Sequence, residues 1–440
     1  MECNREENKV IDLTYYHIIF HTISPIVSCG KMRSSLNICG AIFSSPISVG
    51  LVKRFEKEFY ERLSNAIGSF KKLGVLCEEV KDAIRDCDVL VGLAGTGGIE
   101  HIVLSAAKYV KGVILAYHKY LNSLPATLEV LPALKARDIM VKPVPYTEVF
   151  ETEIKRVLKI MKTIIRFKNA RLGLIGGPSP WLVYSNVDKD HVKRRLGSEI
   201  INISIKELIE ALNKVIVDDK EVINIVKNAG KIWVEDSEVR KALRVYKALE
   251  YLIKKYELDA LTLKCFDLIP KTGTTACIAL SLLNTKNFVA ACEGDIPLML
   301  TMALLTWLTD KPAFMANVSW VSDDSILLAH CTAPLTHPYE LYTHFESKKG
   351  VGVRVMYPER ASATIARLSA DLSTIRLGVG TIVPVEWSNQ LCRTQVRIKV
   401  NNPQKVIDES IGNHYALVVG DYEKEVIEAA KLLNLKVDLI

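Results

Sequence analysis

At 440 residues, with 49% hydrophobic and 24% charged side chains, the chain is long enough for two or three domains, and its composition excludes a peptide module, a disordered polymer and a fibrous protein. The 57 Lys and Arg against 50 Asp and Glu leave a formal charge of +7, too dilute over this length to imply a nucleic-acid partner. Ten cysteines occur with no C-x-x-C pair, which excludes a zinc-ribbon spacing and makes reduced thiols the default. Only three glutamines occur, Gln390, Gln395 and Gln404, a composition in keeping with heat-stable proteins, where intracellular disulfides are found, so pairing stays open.

Leu13 to Gly30 carries no Asp, Glu, Lys or Arg, but acids precede it and it holds His17, His21 and Pro25, which does not suit a secretory signal. Residues 1–31 are expected to be an extension ahead of the first strand. The other apolar stretch, Ile296 to Thr309, has fourteen residues, short of the roughly 20 a spanning helix needs. No membrane contact is expected, and the protein is expected in the cytoplasm.

Ser35 to Phe43 reads as a short buried strand and Ser48 to Leu73 as an amphipathic helix. Asp88 to Ala94 is a continuous apolar strand running into Gly95-Thr96-Gly97-Gly98, with a helical pattern resuming at Glu100; Val113 to Tyr117 is another strand. A second cycle starts with Ala170 to Ile175 and Gly176-Gly177-Pro178. It continues through the charged helix around Ser237 to Tyr256, the strand Ala260 to Cys265, the helix Thr274 to Leu283, the strand Phe288 to Cys292 and the apolar helix Pro297 to Leu308. Strands without polar alternation, interleaved with helices, indicate parallel sheets covered on both faces. After Lys311, short β-rich pieces (Val351 to Met356, Ser362 to Leu368, Ile375 to Val379, Thr394 to Val400) are separated by Gly, Pro and Asn, and a final βα unit follows from His414. The expected fold class is α/β, two consecutive open parallel-sheet α/β domains over residues 32–168 and 169–312, then a β-rich, barrel-like C-terminal domain over residues 313–440.

In a parallel sheet the ligand crevice lies at the carboxyl ends of the strands. After the strand ending at Ala94, the glycines expose backbone N–H groups at a helix start, and Glu100 follows. This turn either binds phosphate or sugar hydroxyls through Gly97, Gly98 and Glu100, or is a plain tight turn; it lacks the Lys-Ser/Thr of a nucleotide-binding loop. After the strand ending at Cys292 comes Glu293-Gly294-Asp295, two acids separated by one glycine. A strand-end carboxylate in an apolar setting is costly unless a cation or a proton-transfer role holds it, which makes Glu293 the leading candidate. Asp295 is either a second acid or the cap of the helix that follows. His330, His344 with Glu346, and His414 add a histidine-carboxylate vocabulary suited to Mn, Co, Zn or Fe, though none are paired at helical spacing and each could be a core or surface residue. Between Lys348 and Lys399, nine basic side chains face three acids, read either as a solvated basic face or as an attractor of an anionic substrate or RNA.

The order IGGPSPW (175–181), LKCFDL (263–268), TTACIALSLLN (274–284), ACEGDIPLMLTM (291–302), FMANVS (314–319), LAHCTAPL (328–335), THFES (343–347) and GNHYALVVGD (412–421) resembles the L-fucose isomerase and L-arabinose isomerase superfamily, nearest its prokaryotic fucose isomerase-like branch. The resemblance implies two α/β domains and a β-rich C-terminal domain, a homotrimer or homohexamer with active sites between subunits, and aldose-ketose isomerisation of an L-fucose- or L-arabinose-like sugar through a cis-enediol with Mn2+ or another divalent cation. It implies that Glu293 is a metal ligand and acid/base, with Asp295 as a further catalytic acid. It also implies that His414 and His330 are ligands, and that Asn317 stands where a second ligating carboxylate is expected. Lys264, His344 and Glu346, with Gly97, Gly98 and Glu100, are the implied substrate contacts. An amide at 317 is neutral and is no base, so either Asp295 or Glu346 substitutes, the ion is held more weakly, or the chemistry differs, and two alternatives accompany this reading: a different reaction on a sugar-like substrate, or a sugar-binding protein without turnover.

Overall fold

The computed structural model describes residues 36–78, 82 and 84–440; the expected extension at residues 1–31 lies outside them. The first sheet consists of β1 (Ile38–Phe43), β2 (Lys71–Leu76), β3 (Val89–Ala94), β4 (Gly112–Tyr117) and β5 (Met140–Pro145), all parallel and ordered β2-β1-β3-β4-β5. Helix α1 (Val49–Ile67) ends six residues earlier than its charge pattern predicts, because Gly68 adopts φ 75° and breaks it. Lys71 and Lys72 then open β2, an edge strand whose charged, exposed start explains why it reads as helix surface. Cys39 in β1 and Cys87 ahead of β3 form a disulfide. The pairing left open by the sequence is thus settled for these two cysteines: one lies in β1 and the other just ahead of the neighbouring β3, 48 residues apart, a pairing no local spacing reveals.

Helix α2 (Phe150–Lys168) buries one face against α1 and leads into the second sheet. That sheet holds β6 (Arg171–Ile175), β7 (Glu199–Ile203), β8 (Ala260–Leu263) and β9 (Val289–Cys292), parallel and ordered β7-β6-β8-β9. Its four-residue strands β8 and β9 are buried throughout, as their unbroken apolar runs require.

The third part is a closed antiparallel barrel of six strands: β10 (Phe314–Val321), β11 (Ser325–His330), β14 (Ser362–Leu368), β15 (Thr374–Val383), β16 (Thr394–Lys399) and β17 (His414–Val419). The ring runs β14-β17-β10-β11-β16-β15 and closes through β14–β15, with β18 (Lys436–Leu439) added in parallel beside β15. A hairpin of β12 (Tyr339–Tyr342) and β13 (Gly352–Val355) interrupts the sequence of the barrel. Parallel sheets followed by a β-barrel are thus the observed architecture. Helix α3 (Ile296–Thr309) is buried along its length and packs against β9, α2, β14 and β17 at once. A helix enclosed on all sides has no polar face to show, which is why its sequence reads as an apolar run. Among the described residues, no helix is long and apolar enough to cross a membrane.

Candidate active site

The chain leaves β9 through a turn in which Glu293 has φ 63° and Gly294 φ 74°. A Cβ on Gly294 would stand 2.3 Å from the Gly177 carbonyl oxygen, so only glycine fits. The Gly176-Gly177-Pro178 loop after β6 presses onto this turn, and the Ser179 N–H donates to the Glu293 carbonyl at 2.8 Å. Asp295 then caps α3, its Oδ1 accepting from the Leu298 N–H at 2.9 Å.

The barrel supplies the opposite wall. β10 lies between β11 and β17, and its register sets Asn317 opposite both His414 and Ala329, the residue before His330. Glu293 Oε1 is 3.6 Å from His414 Nε2 and 3.8 Å from His330 Nε2. One ligand atom from each of these three buried residues lies within 4.8 Å of the others. Metal–donor bonds of about 2.0–2.2 Å place cis donors roughly 3–3.5 Å apart, so this set fits a divalent cation after a small contraction. Both imidazoles are aimed from behind: His414 Nδ1 meets Asp295 Oδ2 at 2.9 Å and His330 Nδ1 meets Thr332 Oγ1 at 2.8 Å, which turns each Nε2 toward Glu293. Asn317 Oδ1 accepts from Asn413 Nδ2 at 3.1 Å, and that amide is 3.4 Å from His414 Nε2.

Charges alternate along this array. Burial pushes the Glu293 carboxyl upward, but His330 and His414 outweigh it and hold the group far below the usual carboxylate range. Asp295, fully buried, is likewise pushed up by burial and brought down by Arg367 and His414. Burial lowers His414, and Asp295 with Glu293 reverse that, raising it above an ordinary histidine. Arg367, with no exposed surface, donates to Asp295 Oδ2 (3.1 Å), the His414 carbonyl (2.8 Å), the Ile411 carbonyl (2.8 Å) and Ser185 Oγ (2.6 Å). A buried charge with this many partners is fixed in place.

The structure therefore brings Glu293, His330 and His414 together, with Asn317 alongside. It sets Asp295 behind His414, with no exposed surface and both oxygens engaged, so Asp295 orients the imidazole and does not face the cluster as a second acid. Among the described residues this cluster holds one carboxylate, Glu293, where a pair was expected. His344 is buried and stands edge-on to Phe266 at 5.6 Å; burial, then His330 and Arg393, lower it to about 4. Lys264 pairs with Asp267 at 3.3 Å, and Glu346 is exposed. Gly97, Gly98 and Glu100 lie at the carboxyl end of the first sheet, where Gly97 N–H donates to the Leu121 carbonyl at 2.8 Å.

Trp181 escaped the sequence reading. Its Nε1–H donates to Glu293 Oε2 at 2.6 Å, and its ring meets Phe266 edge-on at 5.1 Å. The only hint was its place at the end of the glycine-rich tract after β6. The basic stretch also reads differently in three dimensions. Arg367, Arg376 and Arg393 are buried, Arg376 pairs with Asp438 at 2.7 Å, and Arg393 donates to the Thr343 carbonyl at 2.8 Å. Arg354 meets Glu340 at 3.0 Å and Lys399 meets Asp324 at 3.1 Å. Much of that charge is internal wiring, so the tract is not a continuous solvated face.

A buried Glu-His-His cluster between the second parallel sheet and the barrel makes a site suited to holding a cation beside a carboxylate. No protein-family model matches the chain. It is similar to curated proteins named sulfoquinovose isomerase. That of Alkalicoccus urumqiensis is 24% identical over 307 residues, covering 64% of this chain and 67% of the relative. That of Priestia megaterium is 24% identical over 310 residues (66% and 69%). That of Clostridium sp. strain MSTE9 is 22% identical over 343 residues (72% and 76%). The kinship is with enzymes that isomerise a sugar.

Proposed function

We propose that this protein is a divalent-cation-dependent aldose-ketose isomerase of the L-fucose and L-arabinose isomerase type, acting on an anionic sugar. The observation that carries the reading is the convergence of Glu293, from the second sheet, with His330 and His414, from the barrel. The relatives' names support the reaction class and, through sulfoquinovose, a sulfonated hexose as the first substrate to try. Lys348, whose side chain is exposed and whose positive charge reaches His344, offers a cation for such a group.

A cation held by Glu293, His330 and His414 would polarise O1 and O2 of the open-chain sugar and acidify its C2–H bond. His330 and His414 keep Glu293 ionised at neutral pH, the form that can ligate a cation, and the same two charges make it a weak base, so the acidity of C2–H has to come from the cation. Oε1 faces the two histidines and Oε2 is held by Trp181, so the carboxylate is fixed by both oxygens and cannot swing away. The proton taken from C2 leaves an enediol. Its return to C1 from the same carboxylate, with the O2 proton passing to O1, completes the ketose, so one base acting on one face suffices. Asn317 offers a neutral amide oxygen beside His414 and takes no proton. The resemblance further implies a homotrimer or homohexamer in which the Gly97-Gly98-Glu100 turn reaches the sugar of a neighbouring subunit.

The test is conversion of sulfoquinovose, L-fucose and L-arabinose by Mn2+-loaded protein, with metal content measured on the same sample. Ketose formation that disappears with chelator and in Glu293→Gln supports the reading. The amide at Asn317 favours the competing one, a sugar-binding protein; sugar bound by metal-loaded protein without conversion establishes that instead.

A further inference from the structure

We propose that Cys265 and Cys292 form a disulfide that ties the carboxyl ends of β8 and β9 together directly beneath Glu293. Cys265 opens the turn after β8, and Cys292 is the last residue of β9, paired in register with Leu263. Their sulfurs are 2.6 Å apart. That separation is well inside the roughly 3.5–4 Å at which non-bonded heavy atoms rest, and closer to the bonded length of about 2.05 Å. Two thiols have no favourable way to occupy it. The first sheet carries a related device, since Cys39 of β1 is bonded to Cys87, just ahead of the neighbouring β3.

Both sulfurs are buried, with 7% and 2% of each residue exposed, so the bond forms while the strand ends are still open during folding. A small-molecule disulfide such as oxidised glutathione is the oxidant: one thiolate attacks it to give a mixed disulfide, and the second displaces the small thiol. The pair loses two protons and two electrons, and the oxidant is reduced to two thiols. Once the sheet closes, burial shields the bond from reductant. Glu293 follows Cys292 directly, so the crosslink fixes the end of the strand from which the carboxylate projects. This last step rests on Glu293 being a cation ligand; the crosslink itself does not.

The experiment uses the full chain, refolded once with oxidised and once with reduced glutathione. Thiols are blocked with iodoacetamide in denaturant, without reductant, and peptides are mapped by mass. Trypsin separates Cys265 from Cys277 and from Cys292, and cleavage after Glu293 separates Cys292 from Cys331. A Cys265-Cys292 linked peptide in the oxidised sample is expected, absent in Cys265→Ala and retained in Cys277→Ala. Both cysteines alkylated, or Cys265 linked to Cys277 or Cys331, overturns the proposal. Mn2+ titrated by electron paramagnetic resonance into the two forms is expected to bind about tenfold tighter to the oxidised one, the scale of a support around a metal ligand. Equal affinities overturn the coupling and leave the crosslink standing. Binding to neither form overturns the cation reading of Glu293 together with the coupling, while the mass map judges the crosslink by itself.

Discussion

Two turns end apolar parallel strands and begin helices, Gly95-Thr96-Gly97-Gly98 after β3 and Glu293-Gly294-Asp295 after β9, and the molecule uses them differently. At the first, the polar groups are spent on the backbone of adjoining loops: Thr96 Oγ1 accepts from the Ser45 N–H at 2.9 Å, and Gly97 N–H donates to Leu121. At the second, the barrel closes over the turn and brings two imidazoles to one carboxylate oxygen. A strand-end turn concentrates chemistry when another layer of the same chain supplies the opposing groups. Glycine alone marks where the backbone must bend.

The sharpest way to break this contrast is to remove the two acids in parallel. Glu293→Gln is expected to abolish stoichiometric Mn2+ binding and to lower kcat/KM by about a thousandfold or more, the scale of a lost base that also ligates. Glu100→Gln, half-buried at the first turn, should leave metal content unchanged. Metal analysis of both proteins decides, and equal loss in both would erase the distinction.

Asp295→Asn comes next. It keeps the helix cap, since an amide oxygen still accepts from Leu298, but removes the charge that faces His414 and Arg367. Mn2+ affinity by calorimetry should fall 10- to 100-fold, as for other groups that orient a metal-bound histidine. Smaller again, Trp181→Phe keeps the aromatic contact with Phe266 and deletes the 2.6 Å bond to Glu293. A loss of roughly tenfold in kcat, with metal still bound, is expected from one hydrogen bond to a charged group.

The weakest effect separates the two ends by sign. Burial lowers His118, which follows β4 at the first sheet's carboxyl end, below the ordinary histidine value. Its contribution to stability is full above pH 6.5 and fades as the pH falls. His414 in the metal-free protein is raised, so its contribution is full below pH 6.5 and is lost as pH climbs through the raised value. Thermal midpoints of chelated protein against pH should flatten on the acid side in His118→Gln and on the alkaline side in His414→Gln.

Glu293 was legible from the sequence because a carboxylate after an unbroken apolar strand has few inexpensive roles. The parallel sheets were legible because strands buried on both faces leave no polar alternation. The role of Asp295 was not: the same spacing serves a cap and an acid, and only the barrel, more than a hundred residues later, places His414 against it. Arg367 was hidden for a related reason. Inside a β-rich stretch a lone arginine looks like surface, and its burial depends on Asp295, Ser185 and two carbonyls contributed by other segments. Trp181 lay in a tract whose glycines drew attention to the backbone.

The barrel draws His330 and His414 from strands that flank β10, while Glu293 comes from a different sheet. The cluster therefore exists only where β11, β10 and β17 are paired and packed against the turn after β9. A cation that holds this junction binds the folded chain and not the unfolded one, so it should stabilise the native state, and if the junction forms after the transition state it should do so by slowing unfolding alone. In that sense the site acts as a latch on the finished molecule, and stripping it would shorten the native lifetime before it altered the native shape.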